Sequence, residues 1–365
     1  MTHYLRYCCA MFFALFSFLL ATPLSAQAQT REAYVSQSED ETTLTFYYDA
    51  LRATRTGTTW GIEETKKEGD IPVPAWAETW DVADYTTTAR VVFDASFRDF
   101  RPTTTAKWFY DCNALKQIEG LEYLNTSEVK DMSRMFWGCS ALTSLDLKHF
   151  NTQNVTNMEC MFRRCKALTS LDLKSFNTQN VTDMSSMFDG CKALTTLDLQ
   201  HFNTQNVTDM YGMFWNCAAL TSLDLQHFNT QNVINMCLMF DGCAALTSLN
   251  LQNFNTQKVT DMSWMFFACP ALTTIYSNTA WRCPKSDDMF FCNPKLKGAV
   301  SYDGKNRDVM MANPETGYFT AKPTTVERNK RSAAHLHAAS KRVRGARKQL
   351  PDGVQVVNGK KTVKP

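Results

Sequence analysis

Apolar positions through the middle of this chain return with a period of 26 residues. Cys139, Cys165, Cys191, Cys217, Cys243 and Cys269 recur at that spacing without a slip, and so do Phe150, Phe176, Phe202, Phe228 and Phe254. One unit reads LTSLDLxxFNTQNVTDMxxMFxxCxA. A 27-residue version (Cys112 to Cys139) precedes the strict block, a 23-residue version (Cys269 to Cys292) follows it, and Ala89–Asp111 reads as a worn first unit. Within a unit, LTSLDL alternates apolar and polar residues, which predicts a short strand with one face toward a core. NVTDM predicts a second short extended stretch. MxxMFxxC places its apolar residues at i, i+3, i+4 and i+7, which predicts a helical turn, with Asp183, Asp209 or Asn157 positioned to cap it.

The L-x-x-L-x-L spacing and the period fall within the leucine-rich-repeat class. The expected fold is therefore an α/β repeat, a leucine-rich-repeat solenoid of short parallel strands and short helical turns, capped at both ends. A lone unit cannot bury its apolar face, so neighbours must stack. At a strand spacing of about 4.8 Å, eight rungs make a rod about 40 Å long. The organisation that follows is a signal peptide over 1–28, an N-terminal cap over 29–86, the solenoid over 87–296, a C-terminal cap over 297–321 and a basic tail over 322–365. The first cap holds LTFYYD (Leu44–Asp49) and three tryptophans, Trp60, Trp76 and Trp80; Gly298–Thr320 is expected to close the other edge.

Residues 1–28 have the form of a secretory signal: Arg6, an uncharged apolar run from Ala10 to Ala21, Pro23, and a small-x-small site at Ala26-Gln27-Ala28. That run is about half of what spans a bilayer, and no transmembrane span is expected in the mature chain. Export to the cell surface or the extracellular space follows. The net charge of +2 then separates by position: +10 in 322–365, +1 in the signal peptide and −9 in 29–321. The tail, with Arg328–Arg331 and Lys341–Lys348, reads as a flexible basic stretch suited to anionic polysaccharide or nucleic acid, or as a solvated linker. Near its end, Gly353–Asn358 predicts one short strand closed by Gly359.

Of the 13 cysteines, two lie in the signal peptide, eight form the repeat column and three stand apart, Cys160, Cys237 and Cys283. The column reads as a core ladder of small buried hydrophobes. Disulfides between rungs remain an alternative, since neighbouring Cα atoms near 5 Å admit them, and Cys283 could pair with Cys292 or Cys269. Zinc-site spacing is absent. His149, His201 and His227 share one solvent-facing position. The Asp146, Asp172, Asp198 and Asp224 column suits turn or strand-edge roles, and the Asn-Thr column (Asn151-Thr152 through Asn255-Thr256) suits a hydrogen-bonding ladder at a bend. No nucleophile elbow, HExxH or phosphate-binding loop is present, so neither catalysis nor a cofactor is expected. Function is expected where the rungs differ: Trp137, Arg163, Arg164, Tyr211, Trp215, Trp264 and Phe267, residue types that dominate protein interfaces. The alternative is that some of these pack inward.

FNTQNVTDM, MFxxC and LTSLDL, together with LTFYYD, VVFDASF, RPTTT and MANPETGYFT, resemble the BspA-like leucine-rich-repeat surface proteins of anaerobic host-associated bacteria, over about residues 31–320. The resemblance implies an exported surface protein that adheres to host extracellular-matrix proteins or to the surface proteins of other bacteria, without catalytic residues. The GVQVVNGKK ending is similar to the tip of C-terminal sorting signals of type IX secretion. The alternative function is a non-catalytic envelope protein held at the surface by its basic tail.

Overall fold

The computed structural model describes residues 30–68, 71–77 and 87–322, and the backbone alone of 354–357 and 360–363. The expected signal peptide, Trp80 and most of the basic tail lie outside the described residues. The strands are β1 (Glu32–Gln37), β2 (Thr43–Asp49), β3 (Thr59–Gly61), β4 (Thr65–Glu68), β5 (Ile71–Pro74), β6 (Arg90–Phe93), β7 (Gln117–Glu119), β8 (Ser248–Asn250), β9 (Thr274–Tyr276), β10 (Phe319–Thr320), β11 (Val354–Val357) and β12 (Lys360–Val363). No α-helix occurs among the described residues; four short 3₁₀ turns are the only helical elements there.

From Thr104 to Lys285 the chain climbs in rungs, and Asp131, Asn157, Asp183, Asp209, Asn235 and Asp261 each make a parallel bridge to the equivalent residue of the next rung. The segment expected to be a helical turn carries most of the contact between rungs. In one rung the amides of Met184, Ser186, Phe188 and Gly190 donate to the carbonyls of Asp209, Tyr211, Met213 and Trp215 in the next. The intervening amides of Met187, Asp189 and Cys191 turn back three residues, to Met184, Ser186 and Phe188. Ser186 and Gly190, third in their turns, have φ of 52° and 72°, as type II turns require. Met184, Met187, Phe188 and Cys191 still point inward and are fully buried. The spacing thus identified the buried side chains correctly and the element wrongly. A helix would return the Phe188 amide to Met184, whereas here it is given to Met213.

The LTSLDL strand is also corrected. It is a strand only near the ends of the stack, in β7, β8 and β9; in the middle rungs one long contact remains, such as Thr195 N to Thr169 O at 3.4 Å. Asp172, Asp198 and Asp224 there accept from the amides of Lys174, Gln200 and Gln226, closing local turns in place of a ladder. Below the surface, the rings of Phe109, Phe136, Phe162, Phe188, Phe214, Phe240, Phe266 and Phe290 stack in one column at 5.4–5.8 Å.

A buried threonine pins each bend. Thr178 Oγ1 accepts the Asn203 N–H at 2.8 Å and donates to the same residue's carbonyl at 3.0 Å. Thr126, Thr152, Thr204 and Thr230 do the same with Asn151, Asn177, Asn229 and Asn255. One hydroxyl therefore satisfies two backbone groups of the next rung, which otherwise would have to find water.

Both ends are covered. In the N-terminal sheet, ordered β3-β1-β2-β6-β7, the antiparallel hairpin β1–β2 passes through the parallel pair β2–β6 into the first rungs. Phe46 stacks on Phe93 and Trp108, and the Trp76 indole donates to the Trp108 carbonyl at 3.0 Å. At the other end β10 pairs in parallel with β9, and Tyr318 and Phe319 pack edge-on against Phe290. In the tail, the single expected strand is instead the antiparallel pair β11–β12.

Thr204→Val keeps the side-chain shape and removes both bonds to Asn229. It is expected to lower the unfolding free energy by about 2 kcal/mol, against less than about 0.5 kcal/mol for the exposed Thr195→Val. Urea denaturation of the two variants checks this; equal losses would contradict the pinning role.

Candidate functional site

The seven variable residues lie on the turn segments, in four repeat columns. Trp137, Arg163, Trp215 and Phe267 share one column with Tyr110, Asp189, Asp241 and Phe291, and neighbours along it pair. Tyr110 stacks on Trp137 at 4.6 Å, and Arg163 Nε lies 2.7 Å from Asp189 Oδ2. The Trp215 indole lies close enough to Asp241 to favour its charged form, and Phe267 meets Phe291 at 5.4 Å. Arg164 and Trp264 occupy left-handed positions, with φ of 60° and 56°. Tyr211 follows the capping Asp209, whose Oδ1 accepts its amide at 2.7 Å. Asp183 and Asn157 serve the equivalent amides of Ser185 and Glu159, so they cap a turn pair where a helical turn was expected.

Four of the seven converge. Arg163, Arg164 and Trp215 line one cavity of about 510 Å³, and the Arg164 guanidinium lies 5.2 Å from the centre of the Trp137 ring. Trp137 itself is buried, so it supports the site and is not open surface. Tyr211 is close enough to feel the charges of Arg163 and Asp189. Trp264, about one-third exposed, and Phe267 stand further along the stack and line no part of this cavity. A slightly larger cavity of about 550 Å³ lies between the β4–β5 hairpin and the first rung, but its lining is mainly apolar and contains none of the variable residues.

Sequence reasoning passed over Lys166, Lys192, Asp189 and Asn216, which complete the smaller cavity. The signal was there: the position after the column cysteine is Asn113, Ser140, Ala218, Ala244, Pro270 and Asn293 elsewhere and lysine only in these two adjacent rungs. Lys166, Lys192 and Arg164 are exposed, while Asp189 is buried. Burial pushes the Asp189 carboxyl above the usual aspartate range, against the pull of Arg163 and Arg164. Burial likewise pushes Asp241 up to about 6, with the Trp215 indole opposing it.

The cysteine column is a ladder of free thiols. Cys139, Cys165, Cys191, Cys217, Cys243 and Cys269 each donate to a phenylalanine carbonyl of the preceding rung at 3.0–3.2 Å. Cys292 departs from the expected ladder: it is exposed. Cys283 is free, and its thiol lies 3.1 Å from the Lys285 carbonyl. His149, His201 and His227 are exposed, and no group of three or more metal-binding side chains gathers among the described residues. Nor, among them, is any helix long and apolar enough to cross a membrane.

Against known proteins, the model of the family described as "Mycoplasma protein of unknown function, DUF285" matches residues 103–221 and 194–301, together more than half of the chain. A solved leucine-rich repeat protein from Bacteroides ovatus is similar at 14% identity, covering 73% of this chain and 80% of that one, with a TM-score of 0.23. Among curated proteins no match is found.

Two outcomes follow from these environments. The thiolate is the reactive form, and burial pushes Cys165 and Cys269 up to about 12. Iodoacetamide at pH 8 is therefore expected to label Cys292 in the folded chain and the column only after denaturation, read by peptide mass spectrometry; labelling of the column in the folded chain would contradict the buried ladder. The Asp241 carboxyl titrates higher when folded than when unfolded. Its ionisation thus costs stability as pH rises from about 4 to about 6, with the full penalty above. Asp241→Asn is expected to stabilise the chain by about 1 kcal/mol at pH 7.5, after allowance for its partial exposure, and not at pH 3.5. Melting curves at the two pH values check it.

Proposed function

As the chain belongs to the DUF285 family, whose description assigns no activity, we propose that it is an exported leucine-rich-repeat solenoid of the BspA-like kind. Its role is to bind host or bacterial macromolecules without catalysing a reaction. The observation that carries this reading is the variable column on the turn face. The core positions repeat rung after rung, while the column runs Trp137, Arg163, Asp189, Trp215, Asp241 and Phe267. A scaffold that holds its core constant and varies one column of aromatic and charged groups, half-buried at Arg163, Trp215, Asp241 and Phe267 over buried Trp137 and Asp189, is suited to recognition. Export is supported by the sequence of residues 1–28 alone.

The second reading, an envelope protein retained by its tail, is favoured by the charge asymmetry of +10 in 322–365 against −9 in 29–321. Surface-plasmon binding of the purified chain to immobilised fibronectin, fibrinogen and mucin tests the first. Saturable binding at micromolar protein that survives deletion of 322–365 is expected. Flat responses to all three would remove host adhesion, and loss of surface retention on deleting the tail, with no binding by the array, would favour the second reading.

A further inference from the structure

We propose that the cavity formed by Arg163, Arg164, Lys166, Lys192 and Trp215 binds an acidic saccharide, a sugar carrying carboxylate or sulfate. The inference rests on the reading of the chain as a binding protein and names the ligand chemistry of one place on it. Residues 29–321 carry a net −9, yet four cations converge here around one indole. Among the described residues, Arg164, Lys166 and Lys192 have no carboxylate within ion-pair distance. Arg163 lines the cavity with Nε 2.7 Å from the buried Asp189 Oδ2 and Nη1 3.9 Å from the Cys160 thiol, so its guanidinium is fixed in the wall. Fixed guanidinium groups recognise carboxylate and sulfate oxygens through paired hydrogen bonds, and lysines add point charge.

Trp215 supplies the complementary contact. Its indole is half-buried in the cavity wall, beside Asp241 of the next rung. Its negative π-face attracts the polarised C–H bonds of a pyranose ring. The volume, about 510 Å³, lies within the range of small-ligand sites, about 300–1,000 Å³, and accommodates one or two sugar rings. A peptide strand is disfavoured by the backbone. The amides of Arg164, Ser186, Phe188 and Gly190 are all given to the next rung, so no free strand edge is offered in the site. Recognition falls to side chains, which suits a ligand dense in acidic and hydroxyl groups.

The test is calorimetric titration of the purified full chain with a sulfated heparin disaccharide and with 3′-sialyllactose; these arms separate sulfated from carboxylate-bearing sources. Lactose, sodium sulfate and a polyglutamate peptide are the controls. The variant is Arg164→Gly/Lys166→Ala/Lys192→Ala. Glycine suits the left-handed backbone at 164, where φ is 60°, and both lysines are exposed, so folding is preserved and a melting curve verifies it. The variant keeps the basic tail, and any difference therefore belongs to the cavity. The expected result is binding of at least one acidic saccharide at least about tenfold tighter than lactose or sulfate, weakened about tenfold or more in the variant. Equal affinity in the variant, no binding of either saccharide, sulfate binding as tightly as the saccharide, or preference for polyglutamate would each overturn the proposal. If saccharides fail while fibronectin, fibrinogen or mucin still bind, this inference alone falls; if nothing binds, both readings fall.

Discussion

Each rung gives four amide N–H groups to the carbonyls of the next, and the architecture depends on this transfer. Amides that leave their own rung cannot close helical turns, so the intervening residues turn back over three and two positions per rung take positive φ. That geometry keeps Met, Met, Phe and Cys inward on every rung and aligns the phenylalanine rings in one column. The threonine hydroxyls solve the remaining problem, a bend whose backbone groups have no partner on the neighbouring rung, by inserting a side chain between them. Backbone satisfaction and core packing are therefore achieved by the same repeat, and neither is complete in a single unit.

The period, the inward residues, the column of thiols and the bend ladder were legible because burial repeats whatever the backbone does. The element type was not. An i, i+3, i+4, i+7 spacing is met by a helical turn and equally by two consecutive turns with left-handed residues between, and only the destination of the amides distinguishes them. A signal did exist: Gly138, Gly190 and Gly242 share one repeat position with Asn216, residue types that tolerate positive φ. At Gly138 a Cβ would stand 2.5 Å from Asp111 Oδ1 and at Gly242 2.6 Å from Asn216 Oδ1, so the close approach of neighbouring rungs adds to the backbone reason. The strand side was over-read for a related cause. Alternation marks which residues are buried, but the aspartates of LTSLDL close local turns and leave the ladder thin.

The candidate site was half legible. Variation along an otherwise constant repeat located Arg163, Arg164 and Trp215, but it also located Trp264 and Phe267, which the stack carries away from them. Trp137, one of the candidate interface residues, follows the alternative of packing inward and is a buried support beneath Arg164. Lys166 and Lys192 became part of the site only once neighbouring rungs were laid side by side, because their convergence is a property of adjacent units and not of either one.

Residue-resolved amide hydrogen exchange tests the central claim most directly. The account predicts protection recurring every 26 residues along the turn segment, at Met184, Ser186, Phe188 and Gly190, whose amides cross to the next rung, at Met187, Asp189 and Cys191, whose amides close the turns, and at their equivalents, with weaker protection at Thr195 and Thr221, whose contacts are 3.4 Å. Strong protection along LTSLDL with rapid exchange through the turn segment would contradict it.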